Sequence, residues 1–192
     1  RLLVMSFGPD GGKLYLDGTR IGNILPETNS WNPNRDHLFF RDYGSTLRPT
    51  GYADQIMIWG EQLSDAQVAL IAPAKEVGPP DSLYRMDTTT GTFIDDGYLG
   101  VNGTITGTAV PGDPMAAESM ASWWPNKGAA KATIAANTAH DSNDLTFSII
   151  VQPEDVTGDV QMILDRTQNG SFTAPGSFVM ELGRTANNEQ DS

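Results

Sequence analysis

Residues 51–72 read GYADQIMIWGEQLSDAQVALIA. From Ala53 to Trp59 the run is a strand: Ile56 and Ile58 share one face, and Met57 and Trp59 share the other. Ser64-Asp65-Ala66-Gln67 has the form of a capping box, in which the serine side chain takes the glutamine amide and the glutamine reaches back. Val68 and Ile71 then give the short helix one apolar side. A long strand leading into a capped helix reads as the end of a domain, yet it lies in the first third of 192 residues. The chain from DSLYRMD at Asp81 onward reads as the beginning of one.

The flanking sequence is strand after strand. RLLVMSF (1–7) is an apolar run, and KLYLDGTRIG (13–22) alternates Leu14 and Leu16 with Tyr15 before turning at Asp17-Gly18, a tight hairpin signal. DHLFFRDYG (36–44) is a further short strand bounded by turn residues. Pro73–Asp81, PAKEVGPPD, is a stiff polar connector. Beyond it SLYRMD, GVNGTITG, ASWWP, KATIAA, LTFSIIVQP, VQMILDR and GSFVMELG are strands of about five residues separated by Gly, Pro, Asn and Asp. With 20 Gly, 12 Pro and 39% hydrophobic residues, the composition is that of a turn-rich all-β protein with enough chain to bury a sizeable core. The spacing fits a two-sheet antiparallel sandwich or jelly roll.

Composition also excludes partners. Twenty-four acidic against 12 basic residues give a formal charge of −12, a field that repels phosphate backbones, so nucleic acid is not the expected partner. No apolar run approaches the ~18 residues of a membrane span, so membrane insertion is not expected either. The absence of cysteine rules out disulfides and thiolate chemistry.

Four segments together carry a family resemblance. FGPDGGKLYLDGTRIG resembles the hairpin of laminin G-like, concanavalin A-like jelly rolls, and GYADQIMIWGEQLSDAQVALI resembles that family's closing strand and helix. YRMDTTTGTFIDDGYLGVNGTITG is similar to its opening segment, and LTFSIIVQPEDVTGDVQMILDR to the strands after it. The order is inverted. Residues 1–72 look like the C-terminal half of such a domain, 73–80 like a linker, and 81–192 like the N-terminal half. First and last strands are neighbours in this fold, so the two halves form either one circularly permuted, composite domain or the tail and head of tandem domains. In the second case further copies or the remainder of a longer chain would complete them. Neither half alone closes a two-sheet core without leaving exposed strand edges.

The resemblance implies a structural calcium ion where the opening segment meets the closing strand. Position by position, Asp87 stands for the Asp of the family's opening strand, Asp95 or Asp96 for the next acid, and Asp54 for an acidic residue of the closing strand. Ca²⁺ takes six to eight oxygen ligands, carboxylates among them. Ala53 replaces the first of the family's usual acidic pair. The bland reading of these residues is solvated turn aspartates.

Sugar faces stack on aromatic rings. Trp31, in the loop TNSWNPNRD with Asn32 and Asn34 beside it, and Tyr43 in the next loop are the glycan-binding candidates. Trp59 reads as packed, and of the neighbours Trp123 and Trp124 one reads as core and one as outward-facing.

Enzyme signals are poor. A glycosidase needs two carboxylates about a scissile bond, and the family's glucanase branch places them on an E-x-D-x-x-E strand. Met180-Glu181-Leu182-Gly183 offers one Glu without such a partner. His37 and His140 stand alone and read as solvated loop residues. The sequence thus points to a non-enzymatic binding or adhesion module of extracellular type, meeting a glycan or a cell-surface or assembly protein through edge loops. The alternative is a structural or decorating component of a virion or other surface assembly, and the remote one is a glycoside hydrolase.

Overall fold

The computed structural model describes residues 1–8, 11–24, 37–39, 51–71, 79–115, 122–124, 130–140, 144–153, 161–165 and 179–182. These hold strands β1 (Leu2–Gly8), β2 (Gly11–Leu16), β3 (Thr19–Ile24), β4 (His37–Phe39) and β5 (Gly51–Trp59), then helix α1 (Asp65–Ile71). Next come β6 (Ser82–Tyr84), β7 (Gly91–Phe93), β8 (Gly103–Thr106), β9 (Val110–Gly112), β10 (Ser122–Trp124) and β11 (Lys131–Ile134). A 3₁₀ turn at Thr138–His140 leads to β12 (Leu145–Pro153), β13 (Gln161–Asp165) and β14 (Val179–Leu182). The protein is all-β in character, and the strand pairs are antiparallel. Among the described residues no helix is long and apolar enough to cross a membrane.

Two sheets form. The first runs β3-β2-β1-β12-β5-β10-β9, with β6 also paired to β5; the second runs β14-β13-β4-β11-β8-β7. The chain's two segments interleave in both. β12, from the second segment, is hydrogen-bonded between β1 and β5 of the first. In the other sheet β4, from the first segment, lies between β13 and β11 of the second. One edge of β5 is taken by β12; β6 pairs with its Ile56–Ile58 stretch, and β10 meets Ala53.

The core lies between the sheets. Leu3, Met5, Ile56, Ile58, Phe147 and Ile149 of the first sheet pack with Phe93, Ile105, Ala132, Ile134, Ile163 and Leu164 of the second. Burying each large side chain of this kind contributes roughly 1.5–3 kcal/mol. Tyr84 and Phe93 stack across the gap with ring centroids 4.7 Å apart. The outer face of the first sheet is not left bare. Leu2, Val4, Tyr15 and Trp59 pack there beneath Leu63 and Val68, the apolar side of α1 and its lead-in. Period-2 alternation therefore feeds two cores: Ile56 and Ile58 point inward, Met57 and Trp59 outward under the helix.

Local chemistry sets these elements. Asp17 and Gly18 have φ values of 50° and 80°, the paired left-handed conformation of a two-residue hairpin turn, between Leu16 and Thr19. Asp17 accepts the Leu2 N–H at 2.8 Å and meets the Arg1 guanidinium, and together these donors hold its carboxyl below the usual range. At α1 the capping box forms: the Ser64 N–H donates to Gln67 Oε1 at 2.9 Å, and the Gln67 N–H donates to Ser64 Oγ at 3.3 Å. The connector before the helix is fastened to β12 by one hydroxyl. Thr146 Oγ1 donates to the Glu61 carbonyl at 2.8 Å and accepts the Leu63 N–H at 3.0 Å, with Ser6 Oγ 2.9 Å away.

Candidate functional site

The best-defined polar structure is where β6, from the second segment, meets the rest of the fold. Asp95 is 7% exposed and forms an isolated bridge with Tyr84. Its Oδ1 accepts the N–H groups of Leu83 and Gly97, both at 2.8 Å, and its Oδ2 accepts the Val101 N–H at 2.8 Å. Its own N–H donates to Asn102 Oδ1 at 2.9 Å. The Gly97 contact is the local turn bond that aspartate favours; the other two reach across the loop and to β6. The loop is also held from outside, through Asp96 N–H to the Leu83 carbonyl and Leu99 N–H to the Asp81 carbonyl, both at 2.8 Å. Gly97 passes so close to β6 that a Cβ there would lie 2.6 Å from Ser82 Cα, which explains the glycine. The Tyr84 hydroxyl donates to the Val101 carbonyl at 2.6 Å, and burial, then the Asp95 charge, pushes its ionisation upward.

Asp54, fully buried in β5, has a second clamping role. Its Oδ1 accepts the N–H of Gln55 and its Oδ2 that of Met115, each at 2.7 Å. Gln55 has φ 36° and is the extra residue where the β5–β12 register shifts, with Asp54 opposite Ile150 and Ile56 opposite Ile149. This bulge lets Ala53 and Ile56, three residues apart, both face the inter-sheet core. The Met115 bond ties the stretch after β9 to the same point.

Of the proposed metal ligands, then, Asp54 and Asp95 hold backbone N–H groups on two different parts of the first sheet and its loop. Asp96 is half-exposed and paired with Arg85 at 2.9 Å, and Asp87 is half-buried after β6. Among the described residues no three acidic or histidine side chains gather into a metal-binding group. The solvated-turn reading is corrected for Asp54, which lies in a strand, and for Asp95, since both carboxylates are buried and satisfied by backbone N–H groups.

The solvated reading of His140 is also corrected. It is 1% exposed, and its Nε2 lies 2.8 Å from Ser82 Oγ, itself buried. His37 stands in β4 rather than in a loop. Trp59 is buried against α1, as its strand position implied. The proposed glycan residues Trp31, Asn32, Asn34 and Tyr43 lie outside the described residues. Trp123 and Trp124 fall on β10, which pairs with Ala53 through Trp123.

One surface residue was missed. Tyr98 is 86% exposed, on the clamped loop itself, with Ile94 also exposed. Its signal in the sequence is an aromatic inside the turn cluster DDGYLG, a composition that otherwise favours small and polar residues. No family model, curated protein or solved structure matches the chain, so the resemblance rests on its own residues.

Proposed function

We propose that the chain is one interleaved jelly roll of the laminin G-like, concanavalin A-like kind, with its closing segment, 1–72, ahead of its opening segment, 81–192. It acts as a non-enzymatic binding or adhesion module at a cell or virion surface. The observation that carries this reading is the pairing of β6 with β5 through Ser82–Tyr84 and Ile56–Ile58. The strand that resembles the family's first lies beside the strand that resembles its last, as that fold requires. A rigid sandwich holding surface loops in place suits recognition of a glycan or a protein. The second reading, a structural component that makes protein contacts, is favoured by Ile21, more than half exposed on the edge strand β3.

An array of immobilised glycans, probed with the full chain, separates the two. Binding that Trp31→Ala abolishes supports the module. A blank array with concentration-dependent assembly moves the reading to the structural component.

The calcium ion implied near Asp54, Asp87 and Asp95 or Asp96 is tested by thermal unfolding with added calcium and with excess chelator. A midpoint that falls with chelator, and no longer does so in Asp87→Ala, supports the ion. An unchanged midpoint leaves backbone clamping as the role of Asp54 and Asp95.

A further inference from the structure

We propose that Tyr98 is a sugar-stacking platform and that its ligand is a neutral pyranoside; this rests on the binding-module reading and gives it a site. Other described aromatics are less open: Tyr15, Trp59, Tyr84, Phe93 and Phe147 are buried, and Phe7 and Tyr52 are half-buried. Tyr98 is the outlier, at 86% exposed. A ring left in water on a floppy loop would carry little meaning, but this loop is fixed. Asp95 receives three backbone N–H groups, and Asp96 and Leu99 bond to the chain at Leu83 and Asp81. The ring is therefore presented in advance, and binding does not have to order the backbone beneath it. Tyrosine itself has few rotatable bonds to immobilise.

The neighbouring chemistry selects the ligand class. A pyranose offers an apolar CH face to an aromatic ring and a rim of hydroxyls to polar groups. Two residues from Tyr98, the Asp96 carboxylate is held by the Arg85 guanidinium at 2.9 Å, with Asp96 41% exposed. That pair sets an acceptor and a planar donor side by side, the complement of vicinal hydroxyls. Ile94, also exposed, adds apolar surface on the same loop. The chain's charge of −12 repels sulfated or sialylated sugars, which leaves neutral ones.

The test uses the labelled full chain on immobilised neutral gluco-, galacto- and manno-oligosaccharides, with sulfated and sialylated glycans alongside. The wild type binds a neutral glycan. Tyr98→Ala weakens that binding by roughly ten-fold or more at an unchanged unfolding midpoint, and Tyr98→Trp keeps it. Wild-type-like binding by Tyr98→Ala overturns the assignment; if Trp31→Ala then abolishes binding, the module reading survives without Tyr98. A preference for anionic glycans overturns the neutral class. An array blank for the wild type overturns both this proposal and the glycan reading.

Discussion

Replacing Thr146 by Val keeps the side chain's shape and removes one hydroxyl, and with it the fastening of the helix connector to the middle of a sheet. That hydroxyl donates to the Glu61 carbonyl and accepts the Leu63 N–H. Ser6, its cross-strand partner in β1, can still bond to the Leu63 carbonyl at 3.2 Å, so Ser6 is not orphaned. The Leu63 N–H is buried, and the Glu61 carbonyl partly so. A buried group left unsatisfied costs about 1–3 kcal/mol, which puts the gross loss at roughly 2–4 kcal/mol for the two. The new methyl group offsets about 1 kcal/mol at most by burial. The net loss of roughly 1–3 kcal/mol is a large part of a typical total of about 5–15 kcal/mol. Urea unfolding followed by tryptophan fluorescence reads it directly, since Trp59 faces Thr146 across the β5–β12 pair. With a slope of about 2 kcal/mol per molar, the midpoint falls by roughly 0.5–1.5 M at constant slope. A midpoint within about 0.2 M of wild type would refute the view that this hydroxyl fastens the connector.

Three other substitutions probe the same geometry. Ser148 Oγ is buried and has no hydrogen-bond partner among the described residues, so Ser148→Ala leaves stability unchanged or raises it by about 1 kcal/mol, and a clear loss in urea unfolding would show a hidden partner. Asp17 is held below the ordinary carboxylate range by the Leu2 N–H and Arg1, so its stabilising effect is present above about pH 4 and is lost as the pH falls through its folded value. Asp17→Asn should therefore melt about 1–3 °C lower at pH 7, and the gap should close as the pH falls below about 4 and through the folded value; a gap that stays constant on acidification would show that charge is not the cause. Gly97→Ala drives a Cβ against Ser82 Cα and should lower the midpoint by about 5 °C or more, whereas a wild-type midpoint would mean the loop does not pass that close to β6.

The features legible in the sequence were local ones. Asp17-Gly18 announces its turn because only a few residues accept paired positive φ, and Ser64–Gln67 announces its cap because both halves of the box lie within one turn of chain. Strict alternation placed Ile56 and Ile58 against Met57 and Trp59 correctly. The short strands β7 and β9 were not legible, since Gly91-Thr92-Phe93 and Val110-Pro111-Gly112 carry turn residues and are strands because neighbouring strands pair with them. Nor does a glutamine at position 55 signal a left-handed residue; the bulge is supported by Asp54, whose other carboxylate oxygen serves Met115, far along the chain. His140 gave no local sign of burial because Ser82 lies 58 residues away. Asp95 looked like any turn aspartate; two of its three donors come from outside the tight turn. The insertion of β12 between β1 and β5 is likewise a long-range fact that periodicity cannot reveal.

Residues 1–72 and 81–192 should make one cooperative unit, because each lends a strand to the interior of a sheet built mainly or partly by the other. Scanning calorimetry of the whole chain, with its mass fixed by light scattering, tests this most directly. One transition with equal calorimetric and van't Hoff enthalpies, in a monomer of 20.7 kDa, is the predicted result. Two separable transitions, or a fold that exists only as a larger assembly, would contradict it.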